Sequence, residues 1–319
     1  MNWSAFILRR LLQMIPTLLG VVLLVFFLFN WVGGDPAYLL AGKMASPEDI
    51  ANIRHQLGLD RSVVYQLWVF VKQIVTGDFG LSWATREPVS HIFRTRLGPS
   101  LTLLVPMLVL ETGVAVSLAL LVAALRGQWL DRTLMVTSTV VMSISLLVYI
   151  IVGQYVFASL LGWFPVKGWS DDLWRNLTSY AVLPILLGLF VSVAPSLRLY
   201  RTFILDEIHQ DYVRTARARG FSERRILLVH VLRNAAIPIV TNVLMGLPGL
   251  LTGAFLLERF FAIPGIGREI IMAVERSDFP VIKAATVYVA VATLLANLLA
   301  DMLYRALDPR VSLEGKQDD

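Results

Sequence analysis

The sequence predicts an all-α polytopic membrane protein with six membrane-crossing helices, and three observations predict it. The 319-residue chain is 56% hydrophobic and only 16% charged, with a mean hydropathy of +0.68, outside the range of soluble domains. Six runs are free or nearly free of charge and long enough to cross a bilayer at about 1.5 Å rise per residue. Arginines gather between those runs, as they do in the cytoplasmic loops of multispanning proteins.

Leu11 to Gly34 carries no charge and forms the first span. It is too long for the apolar region of a cleavable signal peptide and lacks a small-x-small exit. The segment that follows, from Asp35 to Arg96, is polar but ordered by its sequence. Ser46 caps a helix with Pro47 at its first position and Glu48 and Asp49 at its positive end. Ile50, Ile53 and Leu57 give that helix an apolar face, and Gly58 ends it. Val64, Leu67, Trp68, Val71 and Val75 form a second apolar stripe, ended by Gly77-Asp78. Such helices lie on a membrane surface or on a partner.

Ser100 to Leu125 is the second span, interrupted only by Glu111. Thr133 to about Leu160 is the third, Asn176 to Leu197 the fourth, Asn234 to Leu257 the fifth and Ala284 to Ala300 the sixth. Pro106, Pro184, Pro195 and Pro248 are expected to kink the helices they interrupt. Gly249-x3-Gly253 permits close helix packing. An ionised Glu111 at mid-span costs about 2.5–3.5 kcal/mol unless it meets water or a partner. It therefore either lines a pathway or bonds between helices, and Asn242 reads the same way. Asn297, Asp301, Tyr304 and Asp308 share one helix face, expected to be buried against another helix near the cytoplasmic side.

The longest polar island in the second half runs from Asp206 to Pro238, with six arginines between Arg214 and Arg233. Glu207 to Arg219 reads as a short helix with Gly220 as its left-handed cap. Ser222 caps a second helix, with Arg225 where a capping box has Glu or Gln. Ala216, Ala218 and Gly220 make a small-residue run open to close approach, and Ala216 and Gly220 are both expected to be solvent-exposed. Lys and Arg near the span ends place both termini in the cytoplasm. The net charge of +5 is spread over loops and does not imply nucleic-acid binding. With no cysteine, disulfides, thiolate metal sites and thiol catalysis are excluded. The four histidines share no ligand spacing, so no metal site is expected. No G-x-x-x-x-G-K-[ST], H-E-x-x-H or G-x-S-x-G occurs, so the chain carries no P-loop ATPase and none of the common hydrolase signatures.

Arg214-Thr215-Ala216-x3-Gly220-x9-His230-x-Leu232 resembles the "EAA" loop of ATP-binding-cassette (ABC) importer permeases. Arg214 and Thr215 replace the usual Glu and first Ala, and Arg233 replaces a Pro; these departures resemble the dipeptide/oligopeptide branch. The resemblance extends through Gly34-Asp35-Pro36, Leu57-Gly58-Leu59-Asp60, Gly77-Asp78-Phe79-Gly80-x-Ser82 and Arg96-Leu97-x-x-Ser100-Leu101-Thr102-Leu103. It continues through Glu258-x-x-Phe261-x-x-Pro264-Gly265-x-Gly267, Arg276-x-Asp278-x-Pro280 and Asn297-x3-Asp301-x2-Tyr304-x3-Asp308-Pro309-Arg310. It covers nearly the whole chain.

The resemblance implies the type I importer permease fold. It divides the chain into a first transmembrane helix (1–34), a periplasmic helical segment (35–96), a five-helix core (97–308) and a cytoplasmic tail (309–319). It implies an ATPase-coupling segment of Asp206, Glu207, Asp211, Tyr212, Arg214, Thr215, Ala216, Arg217, Arg219, Gly220 and Ser222. The implied partners are a homologous second permease, two ABC ATPase subunits, a periplasmic substrate-binding protein and membrane lipid. ATP and Mg would sit on the ATPases, with no cofactor on this chain, in a bacterial inner membrane. The implied cargo is di- and oligopeptides, with nickel, glutathione or sugars as alternatives. A reading from another class is a proton-coupled secondary transporter with Glu111 and Asp301 as carriers, although no internal repeat supports it.

Overall fold

A computed structural model describes residues 3–32, 35–41, 45–249 and 254–307. Among these the regular structure is helical, apart from an isolated bridge between Leu81 and Pro88, with turns and loops between the helices. Helix α1 spans Trp3–Phe27 and widens into a π turn over Leu28–Val32. Short helix α2 (Pro36–Ala41) follows, then α3 (Pro47–Gln56) and α4 (Val63–Thr76). Ser46 and Asp49 form the cap of α3 reciprocally, Ser46 Oγ accepting from Asp49 N and Asp49 Oδ2 from Ser46 N. Gly58 and Gly77, both at φ +68°, end these two helices as the sequence predicts.

Helix α4 divides its apolar residues between two faces. Phe70 is buried against Phe26 of α1, with ring centroids 6.3 Å apart, and Asn30 Nδ2 donates to Gln66 Oε1 at 3.0 Å. Those two contacts, one turn apart on each helix and in opposite order, set α4 antiparallel to the C-terminal end of α1. Val64, Trp68, Val71 and Val75 point away from the protein.

Helix α5 runs over Val89–Ala124, starting well before the apolar run at Ser100, and stays helical through Pro99 and Pro106. Helix α6 (Trp129–Ser143) and helix α7 (Leu146–Gly153, prolonged as π-helix to Leu160) cover the third apolar run. They meet at 90°, so this span is broken rather than straight. The break has a local cause: Ile144 is extended and Ser145 caps α7 by accepting from Leu147 N.

A single turn, α8 (Leu173–Arg175), and a π stretch lead into α9 (Val182–Ile208). Then come α10 (Asp211–Ala218), the turn α11 (Glu223–Arg225), a π stretch over Ile226–Val231 and α12 (Leu232–Gly246). Helices α13 (Phe255–Phe260) and α14 (Ile266–Glu275) form a hairpin before the last span, α15 (Phe279–Leu307). Pro184 lies in the first turn of α9, where no kink follows, and Pro195 lies inside it. Gly253 and Asp308 fall outside the described residues.

Five described helices are long and apolar enough to cross a membrane, six when α6 and α7 count as one bent span. Large apolar side chains such as Leu12, Ile15, Leu19 and Leu24 of α1 are exposed along their length, the pattern of a lipid-facing surface. Helices α5 and α9 pack along each other at the centre. Leu197, Tyr200 and Ile204 of α9 join Ala115, Ala119 and Val122 of α5 in one core cluster, which extends to α10 and α12.

Candidate functional site

The candidate site is the corner between α9 and α12. The sequence expects one helix from Glu207 to Arg219, and the structure corrects this. Helix α9 carries Asp206 and Glu207 in its last turn, stops at Ile208, and α10 starts afresh at Asp211. The side chain of Tyr212 bridges the break, its hydroxyl donating to Glu207 Oε2 at 2.6 Å. Burial and that carboxylate together push the Tyr212 phenol up to about 12.

Helix α10 has two faces at helical spacing. Val213 is fully buried and Ala216 is 5% exposed, both within the core cluster with Tyr200, Ile204, Ile226 and Val231. Asp211, Arg214, Thr215 and Ala218 form the opposite, exposed face. The expectation that Ala216 is solvent-exposed is therefore overturned. At three residues from Val213 it turns inward, and its small side chain lets the helix lie close to its own protein rather than to something outside. Gly220 is exposed as expected, at φ +79° with open space around it. Ser222 takes the cap position of α11, but its hydroxyl makes no capping bond.

Arg217 closes the corner. Its Nε and Nη2 donate to the two carboxylate oxygens of Glu223 at 2.7 and 3.1 Å, across the Gly220 turn. Arg225 lies over the ring of Phe221 at 4.7 Å, and Phe221 stacks on His230. Arg219 remains exposed beside them. The result is a small basic platform pinned to the ends of two spans.

Residues that the sequence did not single out brace this platform. Arg201 of α9 donates through Nε and Nη2 to Asp131 of α6 at 3.1 and 3.0 Å, and Gly127 N donates to the same carboxylate. Arg126 Nη1 lies 2.9 Å from His209 Nε2. The Arg201–Asp131 and Arg126–His209 pairs join residues 70 and 83 positions apart, and no local pattern announces them.

The polar residues within the spans fall into two groups. Glu111 accepts from Ser196 Oγ at 2.5 Å, between α5 and α9. Tyr200, one turn on, donates to Asn242 Oδ1 of α12 at 3.2 Å. Asp301 pairs instead with Arg10 of α1 at 3.1 Å, and Asn297 sits half-buried one turn before it.

Two buried carboxylates organise the opposite end of the molecule. Glu258 is fully buried; its Oε1 accepts from Ser100 Oγ at 2.8 Å and Ala254 N at 3.2 Å, its Oε2 from Arg268 N at 2.9 Å. Ser100 Oγ accepts in turn from Ile266 N at 2.8 Å. A side chain at Gly265 would overlap the Glu258 carboxylate and Ser100. Asp278, 2% exposed, accepts from Ser82 Oγ, Trp83 N and Ala84 N. Motifs recognised separately in the sequence thus meet in pairs.

Two family models match the chain. Residues 115–313 match the binding-protein-dependent transport system inner membrane component, and residues 3–104 match the N-terminal part of such membrane components. The chain is 36% identical over 306 residues to the glutathione transport system permease protein GsiC of Salmonella choleraesuis (strain SC-B67), covering 96% of this chain and 98% of that protein. The same protein of Salmonella typhi and of Escherichia coli (strain K12) matches at the same 36% and the same coverage.

Proposed function

Because this chain belongs to the inner-membrane components of binding-protein-dependent transport systems, the permeases of ABC importers, we propose that it forms half of a translocation pathway for short peptides. In this reading α10 is the coupling helix. The carrying observation is its division into a face locked into the core by Val213 and Ala216 and a free face of Asp211, Arg214, Thr215 and Ala218. A helix fixed on one side and open on the other can pass the displacement of a bound ATPase to α9 and α12 as a rigid lever. Asp206, Glu207, Tyr212, Arg217, Arg219, Gly220 and Ser222 shape the lever rather than perform chemistry.

The partners are a second, homologous permease, two ATPases that hold ATP and Mg, and a periplasmic substrate-binding protein. The chain itself is not an enzyme. Both termini face the cytoplasm, on the arginine asymmetry of the loops. The cargo class is short peptides, and the kinship with glutathione permeases favours a glutathione-sized molecule over longer chains. Glu111, Ser196, Tyr200 and Asn242 form a polar contact between α5, α9 and α12, and in this reading they are the first candidates to line such a path.

The test is uptake by the full importer in proteoliposomes, with labelled glutathione and a labelled dipeptide offered in turn. Uptake that requires ATP inside and the binding protein outside supports the reading, and the preferred label fixes the cargo. Uptake that survives without ATP but collapses with the proton gradient replaces it with the secondary-transporter reading, with Glu111 as the first group to neutralise.

A further inference from the structure

The outer ends of α1 and α15 enclose a recess of about 490 Å³ walled by Phe29, Trp31, Trp83 and Phe279. Lys283, in the second turn of α15, lines it together with Asp35 and Arg54. Arg54 and Asp35 are bonded to each other, so that pair contributes no net charge. Burial works against ionising Asp35, but Arg54 and the Ala37 amide outweigh it and hold the carboxyl below its ordinary value.

Lys283 is different. Its ammonium lies 5.5 Å from the ring centre of Phe29 and 5.7 Å from that of Phe70. Among the described residues no carboxylate lies within ion-pair distance of it. The acid nearest in sequence, Asp278, is already occupied by Ser82, Trp83 N and Ala84 N. Ring faces attract a cation but do not neutralise it. The recess therefore holds one uncompensated positive charge between aromatic walls, at the end of two membrane spans.

An ionisable group placed like this marks a site whose counter-charge comes from elsewhere. A helical side chain slants toward the helix N-terminus, which brings the Lys283 ammonium toward the outer interface rather than the bilayer centre. Trp31 stands exposed at the rim, and below it Phe27, Leu24, Leu23 and Leu19 form an exposed apolar track along α1. A ligand that satisfies both features has an anionic head and long apolar tails.

We propose that this recess binds the phosphate headgroup of an anionic phospholipid of the outer leaflet, with Lys283 as its counter-ion and the α1 track as the bed for its acyl chains. The site does not depend on α10 being the coupling helix, and its assignment to the outer leaflet rests on the cytoplasmic placement of both termini proposed above. The shared chemistry is a phosphate oxyanion, which a free phosphate ion could also supply.

The experiment uses the purified importer complex in nanodiscs that mix dioleoylphosphatidylglycerol with dioleoylphosphatidylcholine, analysed by native mass spectrometry. The parent complex should retain one phosphatidylglycerol per copy of this chain in preference to phosphatidylcholine. Lys283→Met should weaken that retention about fivefold, while Lys283→Arg and the exposed Lys72→Met should not. Equal retention by Lys283→Met overturns the proposal. Displacement of the lipid by millimolar inorganic phosphate reassigns the site to a free anion. Should Lys283→Met fail to assemble, brominated phosphatidylglycerol on the parent complex decides: it should quench tryptophan emission more than brominated phosphatidylcholine, and Trp31→Phe should reduce that difference. Equal quenching by the two lipids refutes the site.

Discussion

Ala216→Glu and Ala218→Glu differ by half a turn on α10 and should fail in different ways. At Ala216 the new carboxylate would enter the core cluster beside Val213, where an unpaired charge costs several kcal/mol. Detachment of the helix is the cheaper outcome. It forfeits the burial of Val213, about 1.5–3 kcal/mol, and of the Ala216 methyl, about 0.8 kcal/mol. Local opening of the corner should therefore become easier by about 3 kcal/mol, roughly a hundredfold in the opening equilibrium. Ala218 is exposed, and a charge there should change local stability by no more than about 0.5 kcal/mol. Hydrogen exchange of the amides from 212 to 219 in the purified chain reads both. Copurification of the ATPases reads the interface. Ala216→Glu should speed exchange and lose the ATPases as a consequence. Ala218→Glu should leave exchange within about threefold of the parent and still lose them, because the new charge faces the partner. Parental exchange in Ala216→Glu would refute the inward packing of that face. Normal ATPase retention by Ala218→Glu would refute the free face as the interface.

Two further outcomes follow from particular residues. Gly220→Val should destabilise the corner by about 1–2 kcal/mol through its left-handed backbone alone, since a side chain there meets nothing within 4 Å; Gly220→Asn should be tolerated, and identical exchange rates in the two variants would contradict the backbone argument. Burial raises the Glu258 carboxyl above its ordinary 4.5, against the opposing hydrogen bonds from Arg268 N, Ser100 and Ala254 N. The closed α13–α14 hairpin then binds its proton more tightly than an opened one, so closure is strongest below that value and weakens as pH rises from it toward the folded pKa. Exchange across 255–275 should quicken over that window, and Glu258→Gln should abolish the dependence; a parent with a flat profile would sink the assignment.

Much of the architecture could be read from the chain. The helix after Ser46, its cap with Asp49 and the glycine stops at Gly58, Gly77 and Gly220 follow from local rules, as do most of the spans. The fifth span, however, is a helix over Glu223–Gly246 rather than the expected Asn234 to Leu257, with Leu257 in the separate helix α13. Helix ends were less legible. Helix α5 begins at Val89 and α9 runs to Ile208 because charged residues such as Arg94 and Arg198 continue a helix beyond the bilayer. Freedom from charge measures where lipid can be, and helices extend past it.

What the sequence determined is therefore what short-range physics determines: apolar length, capping, left-handed turns and the asymmetry of arginine. The tertiary structure decided which face of α10 turns inward, where the third span bends, and which groups satisfy each buried charge. Glu258 takes its bond from Ser100, 158 positions away. Asp278 takes its own from Ser82, 196 away, and Asp131 pairs with Arg201 across 70. A buried carboxylate must be satisfied or it costs several kcal/mol, but many donors in the chain could serve. Only the packing that brings one set of them within about 3 Å makes the choice.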